Sequence, residues 1–117
     1  MLRIAIVGGG IGGLTVALAL KKFGFEAEVY EQAPALLDVG AAIALWPNAM
    51  RVLKRLGLAD KILDKAGVMK EIQWLDRNAF LINRVSISDP KTPAVALHRS
   101  DLQRTLLHAL PRSSIQS

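Results

Sequence analysis

The 117-residue sequence contains no cysteine. Disulfide bonds, zinc sites built on thiolates and cysteine nucleophiles are therefore all excluded. The chain also has no apolar run approaching the roughly 18 residues that a membrane-spanning helix requires. Its first seven residues, MLRIAIV, lead into glycines, whereas a signal peptide has a longer apolar stretch and a small-residue cleavage site. We therefore expect a cytoplasmic protein without an integral membrane segment.

The composition is that of an ordinary globular domain. Apolar residues make up 51% of the chain and charged residues 21%, which argues against disorder or a fibrous repeat. The length suits one compact domain. A formal charge of +5 raises the question of a polyanionic partner. We instead interpret the basic residues as a solvated helix face, since they lie along predicted helices without interleaved aromatics, at Arg51, Lys54, Arg55, Lys61 and Lys65.

The amino-terminal part predicts a strand, a turn, a helix and a second strand. Residues 2–7 form a continuous apolar run, which predicts a parallel strand buried on both faces and central in its sheet. Apolar residues then recur at helical spacing as far as Phe23, and Gly24 favours a helix end. Residues 26–30 predict the second strand, with Glu31 where it ends. Together these segments form a βαβ unit.

The rest of the chain continues the α/β pattern. The turn at 76–79 indicates a β-hairpin, and Ser100 with Gln103 predicts a capping box at the start of the last helix. In order, the segments predict an irregular stretch with an extended piece at 41–45, two helices, a β-hairpin, a strand, a helix and the start of a further strand, at residues 32–46, 47–57, 59–65, 71–87, 94–97, 100–110 and 113–117. The predicted fold is therefore α/β with a β-hairpin insertion and an incomplete carboxyl-terminal end.

Three glycines between the first strand and the first helix fit the pattern G-x-G-x-x-G. Gly8 allows the tight turn, Gly10 lets the backbone approach a diphosphate, and Gly13 permits close packing of the helix on the sheet. The helix amino terminus adds N–H groups and a partial positive charge. Glu31 can accept hydrogen bonds from both hydroxyls of an adenosine ribose. A glycine-rich turn alone would be only a turn, but this context predicts dinucleotide binding without separating FAD from NAD.

Three segments in this order resemble the class A flavoprotein monooxygenases, the family of para-hydroxybenzoate, salicylate and urate hydroxylases. They are the glycine turn with Tyr30-Glu31-Gln32, then Gly40-Ala41-Ala42-Ile43-Ala44-Leu45-Trp46-Pro47-Asn48-Ala49, and His98-Arg99-Ser100-Asp101-Leu102. In the family the second segment passes beside the flavin, and an arginine matching Arg99 lies near its ribityl and phosphate portion. The resemblance implies a Rossmann-like FAD-binding domain whose amino-terminal part is residues 1–117. It implies these cofactor-binding residues: Gly8, Gly10, Ile11, Gly12, Gly13, Glu31, Gln32, Ala44 and Arg99.

The resemblance further implies a monooxygenase that uses NADH or NADPH and O2 to hydroxylate a small aromatic substrate. Two departures are visible: Leu36 and Leu37 stand where many members have an arginine, and Ala42 stands where a second glycine is common. Two later family motifs, containing Asp-Gly and Gly-Asp, do not occur in these 117 residues. We therefore expect this chain alone to be inactive, with the missing carboxyl-terminal part or a second copy as its partner.

Two alternatives stay open. One is an FAD- or NAD-dependent oxidoreductase without oxygen insertion, such as an amine oxidase or a disulfide reductase, although Pro47-Asn48 and the lack of cysteine count against it. The other is a truncated, non-catalytic fragment, which the length supports. His98 and His108 are expected in surface or packing roles, and Trp46 and Trp74 in the core. No metal site and no catalytic residue is predicted.

Overall fold

The computed structural model describes residues 2–32, 41–87 and 89–117. Within these ranges the chain forms eight strands, four α-helices and one short 3-10 turn. In chain order these are β1 (Ile4–Val7), α1 (Ile11–Lys22), β2 (Ala27–Tyr30), β3 (Ala42–Leu45), α2 (Pro47–Arg55), α3 (Ala59–Leu63), β4 (Gly67–Met69), β5 (Glu71–Leu75), β6 (Leu81–Ser86), β7 (Ala94–His98), α4 (Arg99–His108), the 3-10 turn (Arg112–Ser114) and β8 (Ile115–Gln116).

The first sheet is parallel, in the order β1-β2-β8. Ile4 of β1 lies opposite Ala27 of β2, and Val29 of β2 lies opposite Ile115 of β8. Helix α1 connects the first two strands, and Gly24 beyond its end takes the left-handed conformation at φ +83°. The predicted βαβ unit and the predicted strand near the carboxyl terminus are therefore both confirmed.

Strand β1 lies at the edge of this sheet, so the prediction of a central strand buried on both faces was wrong for the described residues. Among these residues only β2 pairs with it. Ile4 and Ile6 are half-buried, whereas Ala5 and Val7 are exposed, Val7 to 92%. An apolar run on both faces indicates a strand covered on both sides, and the described elements cover only one side of β1.

A second sheet, in the order β3-β7-β4, is antiparallel and supplies the other side of the core. The sequence did not predict β4, a three-residue strand that begins with a glycine. Helix α4 is central in the core, because Leu102 and Leu106 on adjacent turns are both buried. The largest fully buried side chains come from both sheets and all four helices: Leu14, Val29, Met50, Ile62, Val95, Leu102 and Leu106.

The predicted hairpin is confirmed as β5 paired antiparallel with β6. At its turn the Asp76 carboxylate accepts hydrogen bonds from the N–H groups of Asn78 at 2.8 Å and Phe80 at 2.9 Å. Ala79 takes the left-handed conformation at φ 65°. The two strands chiefly contact each other, and the radius of gyration of 17.1 Å exceeds the roughly 13 Å of a compact domain of this length. The hairpin accordingly projects from the body.

The start of α4 differs from the predicted capping box. The first helical residue is Arg99 rather than Ser100, and no side chain of the described residues caps this end. Ser100 therefore lies inside the first turn, where its hydroxyl is not in the capping position. The backbone N–H of Arg99 instead donates to the Ala41 carbonyl at 2.9 Å, which attaches the helix start to the beginning of β3.

Both tryptophans were wrongly predicted to lie in the core. Trp46 is 44% exposed because it precedes α2 at the surface, and Trp74 is 48% exposed because it belongs to the projecting hairpin. His98 and His108 are exposed, as expected for surface positions. None of the helices in the described parts of the chain is long and apolar enough to cross a membrane.

Gly13 sets the distance between α1 and the end of β1. A Cβ added at this position would overlap the Gly8 carbonyl oxygen and lie 3.3 Å from Cγ2 of Ile6. We predict that Gly13→Ala lowers the free energy of unfolding by about 2 kcal/mol or more, because a backbone oxygen cannot move aside as a flexible side chain does. Urea unfolding of the purified chain would measure the loss.

Gly12→Ala is the matched control for this prediction. Gly12 is the preceding residue on the same helix, and an added Cβ there would meet no atom of the described residues within 4 Å. Alanine favours a helix over glycine by up to about 1 kcal/mol, so Gly12→Ala should leave stability unchanged or raised. Equal destabilisation by both substitutions would contradict the close-packing role of Gly13.

Candidate functional site

The glycine turn connects β1 to α1 and is attached to β2. Gly8 has φ +105°, a conformation that favours glycine, and its N–H donates to the Tyr30 carbonyl at 2.7 Å. The first helical hydrogen bond runs from the Leu14 N–H to the Gly10 carbonyl at 3.0 Å. The N–H groups of residues 11–13 precede it and have no partner within the helix. These groups form the positive end of α1 at the edge of the parallel sheet.

The space around the turn suits an anion. A Cβ added to Gly10 would meet no atom of the described residues within 4 Å, so the backbone is open to a ligand at this point. The first turn of α1 contains no acidic residue. The helix dipole therefore attracts a negatively charged group near the helix start, and α1 itself has no carboxylate in its first turn that would repel this group.

Glu31 lies directly after β2 and contacts the turn. Its Oε2 atom accepts a hydrogen bond of 2.6 Å from the N–H of Gly9, and its own N–H donates to the Gln116 carbonyl at 2.9 Å. Both contacts fix the carboxylate beside the glycine turn. Gln32 follows and is exposed. The structure thus brings the Glu31 carboxylate, predicted to accept hydrogen bonds from a ribose, into contact with the glycine turn.

Tyr30, the neighbour of Glu31, has its hydroxyl 2.5 Å from Oε2 of Glu28. The phenol donates to this carboxylate, and the hydrogen bond, aided by the negative charge, raises the pKa of Tyr30 above its ordinary value. Tyr30 therefore stays neutral at physiological pH.

Gln103 is a contact of the turn that sequence analysis missed. Its Nε2 atom donates to the Gly9 carbonyl at 3.0 Å, across 94 positions of sequence. Gly9 is buried, so this bond supplies a partner for a carbonyl that water reaches poorly. In the sequence Gln103 matched a helix-capping pattern, and nothing in that pattern pointed to a residue so distant along the chain.

Arg99 and Ala44 lie where β3 meets the start of α4. Ala42 pairs with His98 and Ala44 with Ala96, so the two segments of the family resemblance are adjacent strands. On β3 the side chains of Ile43 and Leu45 face the core, whereas Ala42 and Ala44 are exposed. Arg99 is exposed on the first turn of α4, four residues before Gln103 and hence on the same side of the helix. Helix α4 thereby links this second group of predicted residues to the glycine turn.

Two further features do not belong to this group of contacts. Leu36 and Leu37 lie outside the described residues. A cleft of about 250 Å³ lies between α2, α3 and residues 91–93, and its lining does not include the glycine turn or Glu31. This cleft is therefore separate from the residues predicted to bind the cofactor. At the turn itself, the backbone of Gly10 is open on the side where a Cβ would project.

The residues at the glycine turn fit a dinucleotide. The positive end of α1 and the open backbone at Gly10 match a diphosphate, and the Glu31 carboxylate matches a ribose diol beside it. The described residues contain no group of three or more His, Cys, Asp and Glu side chains suited to a metal ion. The N–H groups and the carboxylate at the turn are the groups that an organic, anionic cofactor with a ribose requires.

Comparison with known proteins identifies the class. A family model described as "FAD binding domain" matches residues 1–116, and the chain belongs to this family. A 3-amino-4-hydroxybenzoate 2-monooxygenase from Streptomyces platensis is 40% identical over 117 residues, covering 93% of this chain and 29% of that protein. An FAD-dependent urate hydroxylase from Klebsiella pneumoniae is 31% identical, covering 98% of this chain and 31% of that protein.

Solved structures show the same relationship. A variant of HpxO from Klebsiella pneumoniae, complexed with FAD, superposes with a TM-score of 0.85 at 30% identity and covers 99% of this chain and 31% of that one. The predicted family and the α/β FAD-binding fold are therefore confirmed. The chain spans about 30% of the length of the relatives it matches.

The Gln103 hydrogen bond can be tested by removing its donor. We predict that Gln103→Leu, which keeps a side chain of similar size, lowers the free energy of unfolding by about 1 to 3 kcal/mol, because the Gly9 carbonyl loses its partner. Urea unfolding would measure the change. Gln116→Leu is the matched control, since Gln116 makes an equivalent but exposed bond to the nearby Ser113 carbonyl. Its effect should stay within about 0.5 kcal/mol, and equal effects would contradict a special role for Gln103.

Proposed function

We propose that residues 1–117 are the FAD-binding part of a flavin-dependent monooxygenase that hydroxylates a small aromatic substrate with O2 and NADH or NADPH. The observation that carries the proposal is the juxtaposition at one edge of the sheet of the glycine turn, the start of α1 and the Glu31 carboxylate. The family membership and the monooxygenase relatives support the same assignment. Those relatives are named for ring substrates, 3-amino-4-hydroxybenzoate and urate.

In this proposal each part of the candidate site has one role. The N–H groups at the start of α1 hold the diphosphate against Gly10, Ile11, Gly12 and Gly13. Glu31, with Gln32 beside it, accepts hydrogen bonds from the ribose of the adenosine. Arg99 pairs with the ribityl and phosphate portion, and the exposed side of β3 at Ala44 forms a wall of the flavin site. The absence of a larger side chain at Ala44 leaves room for a planar ring.

The bound flavin supplies the redox chemistry. This chain's share is to hold the cofactor in a fixed orientation and to shield one side of it from water. The binding sites for the substrate and for a nicotinamide donor need residues beyond those of this chain. More than two thirds of each relative lies outside the match. We accordingly propose that the 117 residues alone do not turn over substrate, and that the complete enzyme acts in the cytoplasm.

This incompleteness also bears on the two alternatives. One alternative is that the chain is a non-catalytic fragment. Joining the chain to the rest of a related enzyme tests this alternative, because an FAD-binding domain should then bind the cofactor and a non-functional fragment should not. A suitable protein is a fusion in which this chain is followed by the portion of the Streptomyces platensis relative that lies outside the match. We expect this fusion protein to purify with FAD. A folded fusion protein that binds nicotinamide nucleotide but no flavin would contradict the proposed function.

Gly10 provides the sharpest test of the diphosphate site. We predict that Gly10→Val abolishes FAD binding by the fusion protein, because the valine side chain enters the space that the diphosphate occupies. The surroundings of Gly10 leave room for the side chain among the described residues, so the protein should still fold. Equilibrium titration with FAD, followed by flavin fluorescence, and circular dichroism would measure the two effects.

The control introduces a valine at Gln73, on strand β5 of the projecting hairpin. The two strands of this hairpin chiefly contact each other, so the substitution lies away from the glycine turn and from the exposed face of β3. Gln73→Val should leave the FAD affinity unchanged. If Gly10→Val bound FAD with wild-type affinity, the turn would have only a structural role.

Glu31 can be tested by comparing two flavins. We predict that Glu31→Ala weakens FAD binding by the fusion protein by about 1.5 to 3 kcal/mol, the range for hydrogen bonds to a charged group, and hardly changes the affinity for FMN, which lacks the adenosine. Calorimetric titration would give both affinities. Glu31→Gln keeps an acceptor for the Gly9 N–H, so it separates the attachment of the turn from the ribose contact. Equal loss of both flavins in Glu31→Ala would assign Glu31 to folding.

A further inference from the structure

The hairpin of β5 and β6 has one apolar face and one polar face. Side chains of directly paired residues lie on the same face of an antiparallel ribbon. On one face Ile72 lies opposite Val85, and Trp74 lies opposite Asn83. On the other face the paired residues are Glu71 with Ser86 and Gln73 with Arg84. The alternation of apolar and polar residues along each strand is typical of a sheet covered on one side.

The polar face is internally paired, whereas the apolar face is open. Arg84 Nε lies 4.0 Å from Glu71 Oε2, and the Gln73 amide donates to the same carboxylate. On the apolar face Trp74 is 48% exposed and Val85 is 45% exposed. At the hairpin end, large apolar side chains on both sides of the ribbon are at least half exposed: Leu75, Phe80, Leu81 and Ile82.

An uncovered ribbon of this kind is unusual in a folded protein. A two-stranded hairpin is at best marginally stable in water without a further element packed on it. Large apolar patches on a surface mark places where another surface binds. The described residues do not supply such an element, because β5 and β6 chiefly contact each other.

We propose that the apolar face of the β5–β6 hairpin is the surface on which this domain docks to the rest of the enzyme polypeptide. The inference rests on the proposed function, because it takes this chain as one part of a longer enzyme. The superposition on the FAD-complexed HpxO variant covers 99% of this chain, so it includes the hairpin, and 69% of that protein lies outside the match as the complement of the 31% covered. A large polypeptide therefore accompanies this hairpin in a relative of the same fold.

The size of the face distinguishes this occupant from a second copy. Five residues in a strand span about 17 Å and two strands about 10 Å, so the face measures roughly 170 Å². A stable dimer buries about 800 Å² on each partner, several times more than this face offers. Domains of one polypeptide can contact each other through several surfaces at once. The hairpin then supplies only part of the buried interface area, and other surfaces, such as the exposed edge of β1, supply the rest.

The test uses two separate polypeptides: this chain and the portion of the Streptomyces platensis relative outside the match. Isothermal titration, without FAD, gives their affinity. Trp74→Lys places a charge on the apolar face, and we expect it to weaken the association at least tenfold. Gln73→Lys, the neighbouring position on the polar face, should change the affinity less than twofold. Circular dichroism of both variants verifies that each chain is folded.

The remaining outcomes overturn the proposal. Equal effects of Trp74→Lys and Gln73→Lys would show that the apolar face is not the contact, and so would the absence of association between the two wild-type polypeptides. Analytical ultracentrifugation of this chain alone is a third measurement. If the chain self-associates and Trp74→Lys abolishes the self-association, the apolar face binds a second copy of the chain instead. Because no flavin is present, a negative result here leaves the FAD titrations of the fusion protein as a separate measure of the proposed function.

Discussion

The close approach of α1 to the end of β1 is the constraint on which the candidate site depends. Gly13 lies so near the Gly8 carbonyl that a methyl group would not fit between them. This contact fixes the amino terminus of α1 at the carboxyl edge of the parallel sheet, where its free N–H groups face outward. A helix held further away would move these groups relative to Glu31, which is anchored separately through β2 and β8.

Gly9 connects the turn to two distant parts of the chain. Its N–H donates to Glu31 at 2.6 Å, and its carbonyl accepts from Gln103 at 3.0 Å. Both polar groups of one buried backbone position are thereby satisfied by side chains, one from the end of β2 and one from α4. A turn held in this way loses little further freedom when a ligand binds, which favours affinity because less ordering cost opposes it. The hydrogen bonds also explain how α4, which carries Arg99, is positioned relative to the turn.

Local patterns predicted most of the fold. The glycine turn, the βαβ unit, helices α1 to α3 and the Asp76 turn follow from signals within a few residues of each other, and the structure has all of them. Properties that depend on distant neighbours were not predictable in the same way. The exposure of Val7 and Trp74 depends on which elements cover them, and the role of Gln103 depends on a contact across 94 positions. The Ser100 cap failed because the tether between Arg99 and Ala41 moves the helix start by one residue.

The parallel sheet pairs strands that the ribosome synthesises several seconds apart. Residues paired between β1 and β2 are 23 positions apart (Ile4 and Ala27), whereas those paired between β2 and β8 are 86 apart (Val29 and Ile115). At about 5 to 20 residues per second, a ribosome would take roughly 4 to 17 s to add the second interval. During that time the nascent chain holds its βαβ unit with the outer edge of β2 uncovered. Co-translational folding of this domain therefore includes an interval in which the half-built sheet exposes a strand edge that can pair with another chain.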